Sequence, residues 1–196
     1  MEMTFDIILK YNSYANLLKT IVRTGWIRSQ VDNGESIAEH LFHSAVNIIL
    51  LRKILTDIKV DWEKALLLAM LHDLAEVEIG DIPKHEKTIE DKEKEIKILS
   101  RMFKDLAIEE KWVHELSELK SIEALIVKYA DLTSTIFQGI SYLDSGICND
   151  YLKNIILNSC EELDYISKLI KSRDATILTN FIIGYVRAII KKSCAN

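Results

Sequence analysis

Hydrophobic residues recur every three or four positions along most of the chain, which is the spacing of amphipathic α-helices. This pattern predicts seven or eight helices and no strand, so the expected fold class is all-α. The last helix is apolar almost all round, which places it in the centre of the core or in a subunit contact. The predicted ranges are approximately 4–20, 36–55, 61–77, 86–105, 109–119, 121–139, 149–171 and 175–191.

Capping and helix-breaking residues mark several of the helix ends. Ser36 followed by Glu39 is a capping-box pattern, in which each side chain binds a free backbone N–H group of the first turn. Asp61 is a suitable N-cap for the next helix, and Gly80 and Pro83 end that helix near residue 77. Residues 23–36, "RTGWIRSQVDNGES", are polar and contain two glycines, so they are predicted to form a loop.

The composition supports one helical domain. Among 196 residues there are only 6 Gly and 1 Pro, which leaves few turn-forming residues for strands and hairpins. Hydrophobic residues make up 48% and charged residues 28%, which is typical of a folded globular protein. No repeat or Pro/Ser-rich linker interrupts the chain, so residues 1–196 are predicted to form a single compact helical bundle.

Net charge and cysteine usage limit the partners and the compartment. A formal net charge of -5 and a pI of about 5.6 argue against a nucleic-acid polymer as partner. No apolar run reaches the roughly 18 residues that span a bilayer, so no membrane partner is expected, and the N-terminus lacks the pattern of a secretory signal. Cys148, Cys160 and Cys194 are odd in number and are expected to be free thiols in a reducing cytoplasm.

Ionisable residues accumulate at the end of a very hydrophobic segment, "LLLAMLHDLAEVEIGD" at 66–81. His72, Asp73, Glu76, Glu78 and Asp81 lie within ten positions. Burying a charge without a partner costs several kcal/mol. Either these groups face water, or a positive charge meets them.

Two histidines and two aspartates on three predicted helices form a candidate metal-binding set: His40, His72, Asp73 and Asp131. This mixture of nitrogen and oxygen donors suits Mn²⁺, Co²⁺, Ni²⁺, Fe²⁺ or Zn²⁺. Each residue alone has an ordinary explanation: His40 as a hydrogen-bonded core residue, and Asp131 as the partner of Lys128 one turn away. The order and surroundings of the four residues carry the prediction.

The same residues resemble the pattern of the HD-domain metal-dependent phosphohydrolases. The matching segments are "SIAEHLFHSA" with His40, "AMLHDLAEVEIGDIP" with His72 and Asp73, and "IVKYADLTS" with Asp131. "RTGW" at 23–26, "ESIAEH" and "SIEALIVKYAD" extend the resemblance to the 5′-deoxynucleotidase branch, over residues 20–140. The resemblance implies an HD-domain bundle in which these four residues bind one divalent transition metal ion. The helices at 149–191 match only in being helical.

The resemblance also implies roles for residues around the metal. Glu76 is similar to the branch's acid/base residue, and Asp81 to the residue that contacts the sugar or a second cation near Glu76 and Asp81. Arg23 suits a bidentate grip on phosphate oxygens, and Trp26 can pack against the phosphate end or the sugar. Lys84 adds positive charge to the substrate site.

Each of these residues has a simpler role that the sequence leaves open. Glu76 can be an exposed helical glutamate, and Asp81 can be a turn-forming residue. Arg23 can lie at the surface, and Trp26 can fill a gap between helices. The other histidines are expected to be structural or surface residues: His43, His85 and His114.

The leading hypothesis is a metal-dependent phosphomonoesterase that hydrolyses (deoxy)nucleoside 5′-monophosphates to nucleoside and phosphate. The alternatives are an HD phosphodiesterase or nucleoside triphosphate hydrolase, and a metal-stabilised nucleotide-binding module without turnover. A homodimer is expected from the resemblance and from the apolar "TILTNFIIGYVRAII" at 176–190. The segment before "SIEALIVKYAD" looks short for the branch, which bears on the base side of the pocket.

Overall fold

Ten helical segments make up the part of the chain that the structure, a computed structural model, describes: residues 2–84 and 86–194. Eight of them have eight or more residues, so the all-α prediction and the predicted number of helices are confirmed. The segments are α1 (Glu2–Leu18), α2 (Thr24–Arg28), α3 (Ile37–Ile54), α4 (Trp62–Leu71), α5 (Glu76–Ile79), α6 (Ile89–Asp105), α7 (Lys111–Glu118), α8 (Ile122–Asp144), α9 (Asp150–Ile170) and α10 (Arg173–Ser193).

The predicted N-caps at Ser36 and Asp61 are present. Ser36 and Glu39 form both bonds of the capping box at the start of α3. Asp61 accepts the backbone N–H three residues later at 3.0 Å, which begins α4. A second capping box of Thr88 and Asp91 begins α6 three residues later than predicted. Side-chain acceptors for the free N–H groups of the first turn therefore define these helix starts.

The segment predicted as a loop at 23–36 contains the short helix α2 and is closed by a backbone bridge. Val22 and Ser36 form an isolated antiparallel bridge, and the Arg23 N–H donates to the Glu35 carbonyl at 3.0 Å. Within the loop, a Cβ on Gly34 would lie 2.9 Å from Cβ of Trp26, so glycine allows the chain to pass this close. The bridge and this contact hold α2 against the start of α3.

The single helix predicted over 61–77 is wrong, because α4 ends at Leu71 and α5 begins at Glu76. In residues 72–75, backbone hydrogen bonds join residues that are three positions apart, so the chain is wound more tightly than in an α-helix. These bonds run from Leu74 N–H to the Leu71 carbonyl, and from Glu76 N–H to the Asp73 carbonyl, each at 3.0 Å. The segment contains no Gly or Pro, so nothing in the local sequence signals the break.

Helix α8 lies at the centre of the bundle and packs against α3, α4, α9 and α10. Its buried residues continue into a connected hydrophobic core that reaches every long helix from α3 to α10. That the chain is one domain stays a prediction, which this connected core supports. Among the helices of the described residues, none combines the length and hydrophobicity needed to cross a lipid bilayer.

Helix α10 is amphipathic rather than apolar all round, which corrects the prediction. It buries Ala175, Thr179, Ile182 and Val186 against the bundle. The opposite side is solvent-exposed, and Phe181 is 72% exposed there. Of the two predicted positions, the centre of the core is therefore wrong, and a subunit contact stays a prediction.

The expectation of three free cysteines is also wrong. A disulfide joins Cys148, in the loop before α9, to Cys194 after the end of α10. The two residues are 46 positions apart, so only the tertiary fold brings them together. Cys160 is the free thiol of the three; it is buried, and burial raises its pKa to about 11.

Candidate active site

The four predicted metal ligands come from three elements and meet at one point. His40 lies near the start of α3, His72 and Asp73 follow the end of α4, and Asp131 lies in α8. Nε2 of His40 lies 3.1 Å from Oδ1 of Asp131 and 3.8 Å from Oδ2 of Asp73. Nε2 of His72 lies 3.4 Å from the same Asp73 oxygen. The tight turn after α4 directs both of its adjacent side chains to the same point.

Donor atoms of three of the four residues lie close enough together to bind one ion. One donor atom each of His40, His72 and Asp73 lies within 4.8 Å of the other two. Asp131 lies beside this trio, with one oxygen toward His40 and the other 2.7 Å from Nζ of Lys128. Asp131 therefore contacts His40, as expected for a shared metal site, and also Lys128, the alternative partner that the sequence offered.

The hydrogen bonds of the imidazole rings orient the two histidines. Nδ1 of His72 lies 2.9 Å from the Ala69 carbonyl, which only accepts, so Nδ1 carries the proton and Nε2 keeps its lone pair. Nδ1 of His40 lies 2.8 Å from Oγ of Ser134 and 3.1 Å from Nη1 of Arg23. The Ala69 carbonyl and the Ser134 oxygen can each accept the far ring N–H, which is the usual way in which proteins orient metal-binding histidines, whereas Arg23 can only donate.

Each histidine of the cluster has a buried ring nitrogen without a hydrogen-bond partner. Among the described residues, Nε2 of His40, Nε2 of His72 and Oε2 of Glu76 are buried and unpaired. The short approach of His40 to Asp131 lacks hydrogen-bond geometry. A buried polar atom left unpaired costs about 1–3 kcal/mol. A divalent cation bound by nitrogen and oxygen donors removes that penalty, so these residues fit the metal implied by the sequence.

Burial and neighbouring charges shift the pKa values of the carboxylates in opposite directions. Burial raises the pKa of Glu76 well above its usual value, and the charges of Asp73 and Asp81 raise it further. Burial also opposes ionisation of Asp131, but Lys128 and His40 beside it bring its pKa well below the usual value. The two acids therefore differ in their affinity for a proton within one site.

A cavity of about 890 Å³ opens beside the cluster. Eight of the nine predicted site residues line it; the exception is His40, which is fully buried behind them. Apolar residues of α6 and α7 also line the cavity, including Leu99, Val113 and Leu116. A volume of this size is within the range of small-molecule sites.

Helix α9 also lines the cavity, which the sequence did not predict. Tyr151, Ile155, Ser159 and Glu162 of this helix face the same space as the metal ligands. The family motifs end before α9, and its residues are ordinary for an amphipathic helix. No signal in the sequence therefore connects α9 with the site.

Arg23 is anchored at the edge of the cluster rather than lying free at the surface. Its Nη1 lies 3.1 Å from Nδ1 of His40, 3.2 Å from Oγ1 of Thr135 and 3.5 Å from Oε2 of Glu35. Its side chain is 19% exposed and lines the cavity. These contacts hold a permanent positive charge between the cluster and the cavity.

Glu35, which the sequence did not single out, supports both Arg23 and Trp26. Its buried carboxylate accepts the Trp26 indole N–H at 3.1 Å, and its backbone N–H donates to the Tyr142 hydroxyl at 2.8 Å. Trp26 is only 1% exposed and packs edge-on against Tyr142. Trp26 therefore has the space-filling position that the sequence left open. A signal was available, since Glu35 directly precedes the N-cap of α3.

Asp81 and Lys84 both line the cavity and contact other segments. The Asp81 carboxylate accepts the Thr24 backbone N–H, and the Thr24 hydroxyl donates to the Asp81 carbonyl at 2.7 Å. Asp81 thereby joins the "GDIP" segment to "RTGW". The side chain of Lys84 is 75% exposed, with Nζ 2.7 Å from Oε1 of Glu162.

The other histidines lie outside the cluster. His43 is half-buried, with Nδ1 3.8 Å from Oε1 of Glu35, and His114 is exposed. Both positions fit a structural or surface role. His85 lies outside the described residues.

Comparison with known protein families assigns the chain to one of them. The model of the HD domain family matches residues 15–163 of the chain. The chain belongs to the HD domain family. Membership agrees with the His-His-Asp cluster, and the HD domain implies binding of a divalent metal ion.

Curated relatives of this HD domain protein include several named 5′-deoxynucleotidases. 5′-deoxynucleotidase HDDC2 of Mus musculus is 29% identical over 186 residues, covering 88% of this chain and 91% of the mouse protein. The Homo sapiens protein of that name is 31% identical over 145 residues, covering 70% and 69%. 5′-deoxynucleotidase YGK1 of Saccharomyces cerevisiae is 38% identical over 85 residues, covering 43% and 38%.

Solved structures share the HD domain fold of this chain. A conserved hypothetical protein from Pyrococcus furiosus superposes with a TM-score of 0.71 at 31% identity, covering 98% of this chain and 99% of its own. An HD-domain phosphohydrolase from Listeria innocua superposes with a TM-score of 0.68, covering 94% and 92%. At 18% identity the second similarity supports the fold alone.

Proposed function

We propose that the chain is a metal-dependent phosphohydrolase that converts deoxynucleoside 5′-monophosphates to deoxynucleoside and inorganic phosphate. The observation that carries the proposal is the meeting of His40, His72, Asp73 and Asp131 beside a cavity that Glu76 and Arg23 also line, with Nε2 of both histidines buried and unpaired. The names of the relatives, which are 5′-deoxynucleotidases in mouse, human and yeast, supply the substrate class.

The proposed ligands of the ion are His40, His72, Asp73 and Asp131. When bound, a divalent ion polarises the phosphoryl group and lowers the pKa of a bound water. The mixed nitrogen and oxygen donor set suits Mn²⁺, Co²⁺, Ni²⁺, Fe²⁺ or Zn²⁺, and Mn²⁺ and Co²⁺ are used in the test. A second cation near Glu76 and Asp81 stays a prediction.

The remaining steps belong to side chains of this chain. Arg23 binds phosphate oxygens with its guanidinium, which Glu35 and Thr135 anchor. Glu76, whose Oε2 is unpaired in the cavity wall, exchanges a proton with the attacking water or with the leaving 5′ oxygen. Asp81 keeps the Arg23 segment in register with this carboxylate through its bonds to Thr24. Trp26 and Lys84 act in substrate binding indirectly, from the core and from the rim.

The test is phosphate release by protein freed of metal and reloaded with Mn²⁺ or Co²⁺. We expect release from deoxynucleoside 5′-monophosphates, slower release from ribonucleotides, and loss of at least about 100-fold in kcat for Glu76→Ala. His72→Ala is expected to lose both metal and activity. Ser167→Ala in α9 serves as a control for removing a buried polar group that does not line the cavity.

Other outcomes of this screen would replace the proposal. Preferential cleavage of cyclic nucleotides or triphosphates would favour a phosphodiesterase or a triphosphate hydrolase. Metal binding that stabilises the fold while every nucleotide stays intact would favour a binding module without turnover. Activity that is unchanged in Glu76→Ala would remove that residue from the mechanism.

We infer that the protein forms a homodimer through the exposed face of α10. Ile177, Phe181 and Tyr185 recur every four residues on this face and are 42%, 72% and 48% exposed. Phe137 of α8 extends the patch by stacking on Tyr185, with ring centroids 6.4 Å apart. Apolar patches of this kind usually mark protein contacts. Light scattering of the purified protein is expected to give twice the chain mass, and Phe181→Glu to give monomers; a monomeric wild type contradicts the inference.

We propose that the protein acts in the cytoplasm, where free nucleoside monophosphates are metabolites. The disulfide between Cys148 and Cys194 opposes this location, because cytosolic thiols are kept reduced. Thiol titration of protein trapped directly from cells tests the location. Three titratable thiols support the cytoplasm, whereas one thiol favours an oxidising compartment.

A further inference from the structure

Four lysines line the cavity, and they differ in burial and in partners. Lys84 is mostly exposed, Lys92 lies at the exposed start of α6, and Lys128 is bound to Asp131. The side chain of Lys87 is only 16% exposed, although it belongs to the same surface segment as Lys84. Keeping an ammonium group that far from water is unfavourable unless anions surround it.

The partner of Lys87 on the protein is a glutamate from a different element. Nζ of Lys87 lies 2.6 Å from Oε2 of Glu95 on α6. Burial lowers the pKa of Lys87, but Glu95 beside it outweighs burial and brings the net shift above the usual value. Lys87 is therefore a cation at neutral pH. An ammonium group has three N–H donors, so the bond to Glu95 leaves donors for another acceptor.

Lys87 and Arg23 line the same cavity as Glu76, and the charges of both act on its carboxylate. Against the effect of burial, these are the two cations whose charges lower the pKa of Glu76. The charge of Lys87 also acts on Asp73. Arg23 belongs to the segment before α2 and Lys87 to the segment before α6, so the two cations approach this region of the cavity from separate elements.

We propose that Lys87, held by Glu95, binds the phosphate group of the substrate together with Arg23. The inference rests on the proposed function and identifies a binding residue that the sequence motif did not indicate. Arg23 supplies a planar fork and Lys87 a compact point charge, a pair that suits the separate oxygens of one phosphate. Lys84, the lysine expected in this role, is turned to Glu162 at the rim.

The test is substitution of Lys87 by methionine, which keeps the length of the side chain and removes its charge. A charged hydrogen bond contributes about 1.5–3 kcal/mol, so we expect KM for a deoxynucleoside 5′-monophosphate to rise about 10- to 100-fold. We expect kcat to change less than about threefold, because the metal ligands and Glu76 remain. Lys94→Met on the exposed side of α6 makes the same change in net charge and is expected to leave KM unchanged.

Binding of inorganic phosphate to the Mn²⁺-loaded protein, measured by calorimetry, tests Lys87 without turnover. Lys87→Met is expected to weaken this binding by the same factor as KM. Lys87→Arg, which keeps a positive charge, is expected to bind phosphate more tightly than Lys87→Met. Wild-type affinity in Lys87→Met, or equal losses in the two variants, overturns the proposal. If the wild type cleaves no nucleotide, the proposed function fails while phosphate binding still decides the role of Lys87.

Discussion

The contact between α8 and α9 allows a quantitative prediction, because a glycine permits it. A Cβ added to Gly139 of α8 would lie 2.5 Å from Cγ1 and 2.9 Å from Cδ1 of Ile156 in α9. Carbon atoms in contact are normally about 3.5–4.0 Å apart, so Gly139→Ala requires a shift of roughly 1 Å. Ile156 is fully buried, so its side chain has no space in which to move. The two helices must therefore separate.

The expected size of the effect follows from two opposing terms. Overpacking of this kind costs up to about 3 kcal/mol, whereas alanine is favoured over glycine inside a helix by about 1 kcal/mol. The net loss of unfolding free energy is then about 2 kcal/mol, or roughly 4–8 °C in Tm for a chain of this length. Gly184 of α10 is the matched control, because its added Cβ meets no atom within 4 Å. Gly184→Ala is expected to stabilise by up to about 1 kcal/mol.

Urea unfolding followed by circular dichroism measures both variants. Combining Gly139→Ala with Ile156→Ala removes the two clashing carbon atoms, so the double variant should recover about 3 kcal/mol relative to additivity. Because Ile155 and Ser159 beside Ile156 line the cavity, a displaced α9 should also raise KM. If Gly139→Ala stabilises as much as Gly184→Ala, the two helices are not in this contact and the reasoning about the cavity wall fails.

Three further predictions concern the metal, the disulfide and Glu35. Mn²⁺ at about 100 times its Kd should stabilise the fold by about 2.7 kcal/mol and raise Tm by roughly 5–10 °C; an equal shift in His72→Ala would contradict the ligand assignment. Cys148→Ser should lose about 4 kcal/mol of unfolding free energy, from the 46-residue separation of the disulfide; reductant should destabilise the wild type equally and leave the variant unchanged. Glu35→Gln should destabilise by about 2 kcal/mol and raise KM, because it leaves the partly buried Arg23 without its carboxylate; an unchanged KM would show that Glu35 does not position Arg23.

Features with a local physical cause were predictable from the sequence. The caps at Ser36 and Asp61 depend on side chains within three residues of the helix start, and the helical periodicity depends on neighbours within two turns. The break after Leu71 was not predictable, because no Gly or Pro marks it and tertiary contacts select the tighter turn. The disulfide required the packing of α10 against the loop before α9, 46 residues away.

In the candidate site as well, residues in recognisable motifs were predictable, and residues whose burial depends on tertiary packing were not. Family motifs indicated which histidines and aspartates to bring together, and the structure places them within reach of one another. The motifs did not distinguish Lys84 from Lys87, because that segment has no periodicity from which burial can be inferred. Only the positions of Glu95 on α6 and Glu162 on α9 show which lysine is enclosed and which lies at the rim.

The acidic residues after the hydrophobic end of α4 have separate partners, which explains why so many occur there. Glu78 accepts hydrogen bonds from Tyr14 at 2.6 Å and Arg101 at 2.5 Å, and Asp81 is bound by the backbone of "RTGW". Asp73 faces two imidazoles, and Oε2 of Glu76 has no partner among the described residues. Unpaired buried atoms are therefore left on His40, His72 and Glu76 rather than on Glu78 or Asp81. A cation bound by the two imidazoles and Asp73 would pair those nitrogen atoms, and the acids that already have partners need none.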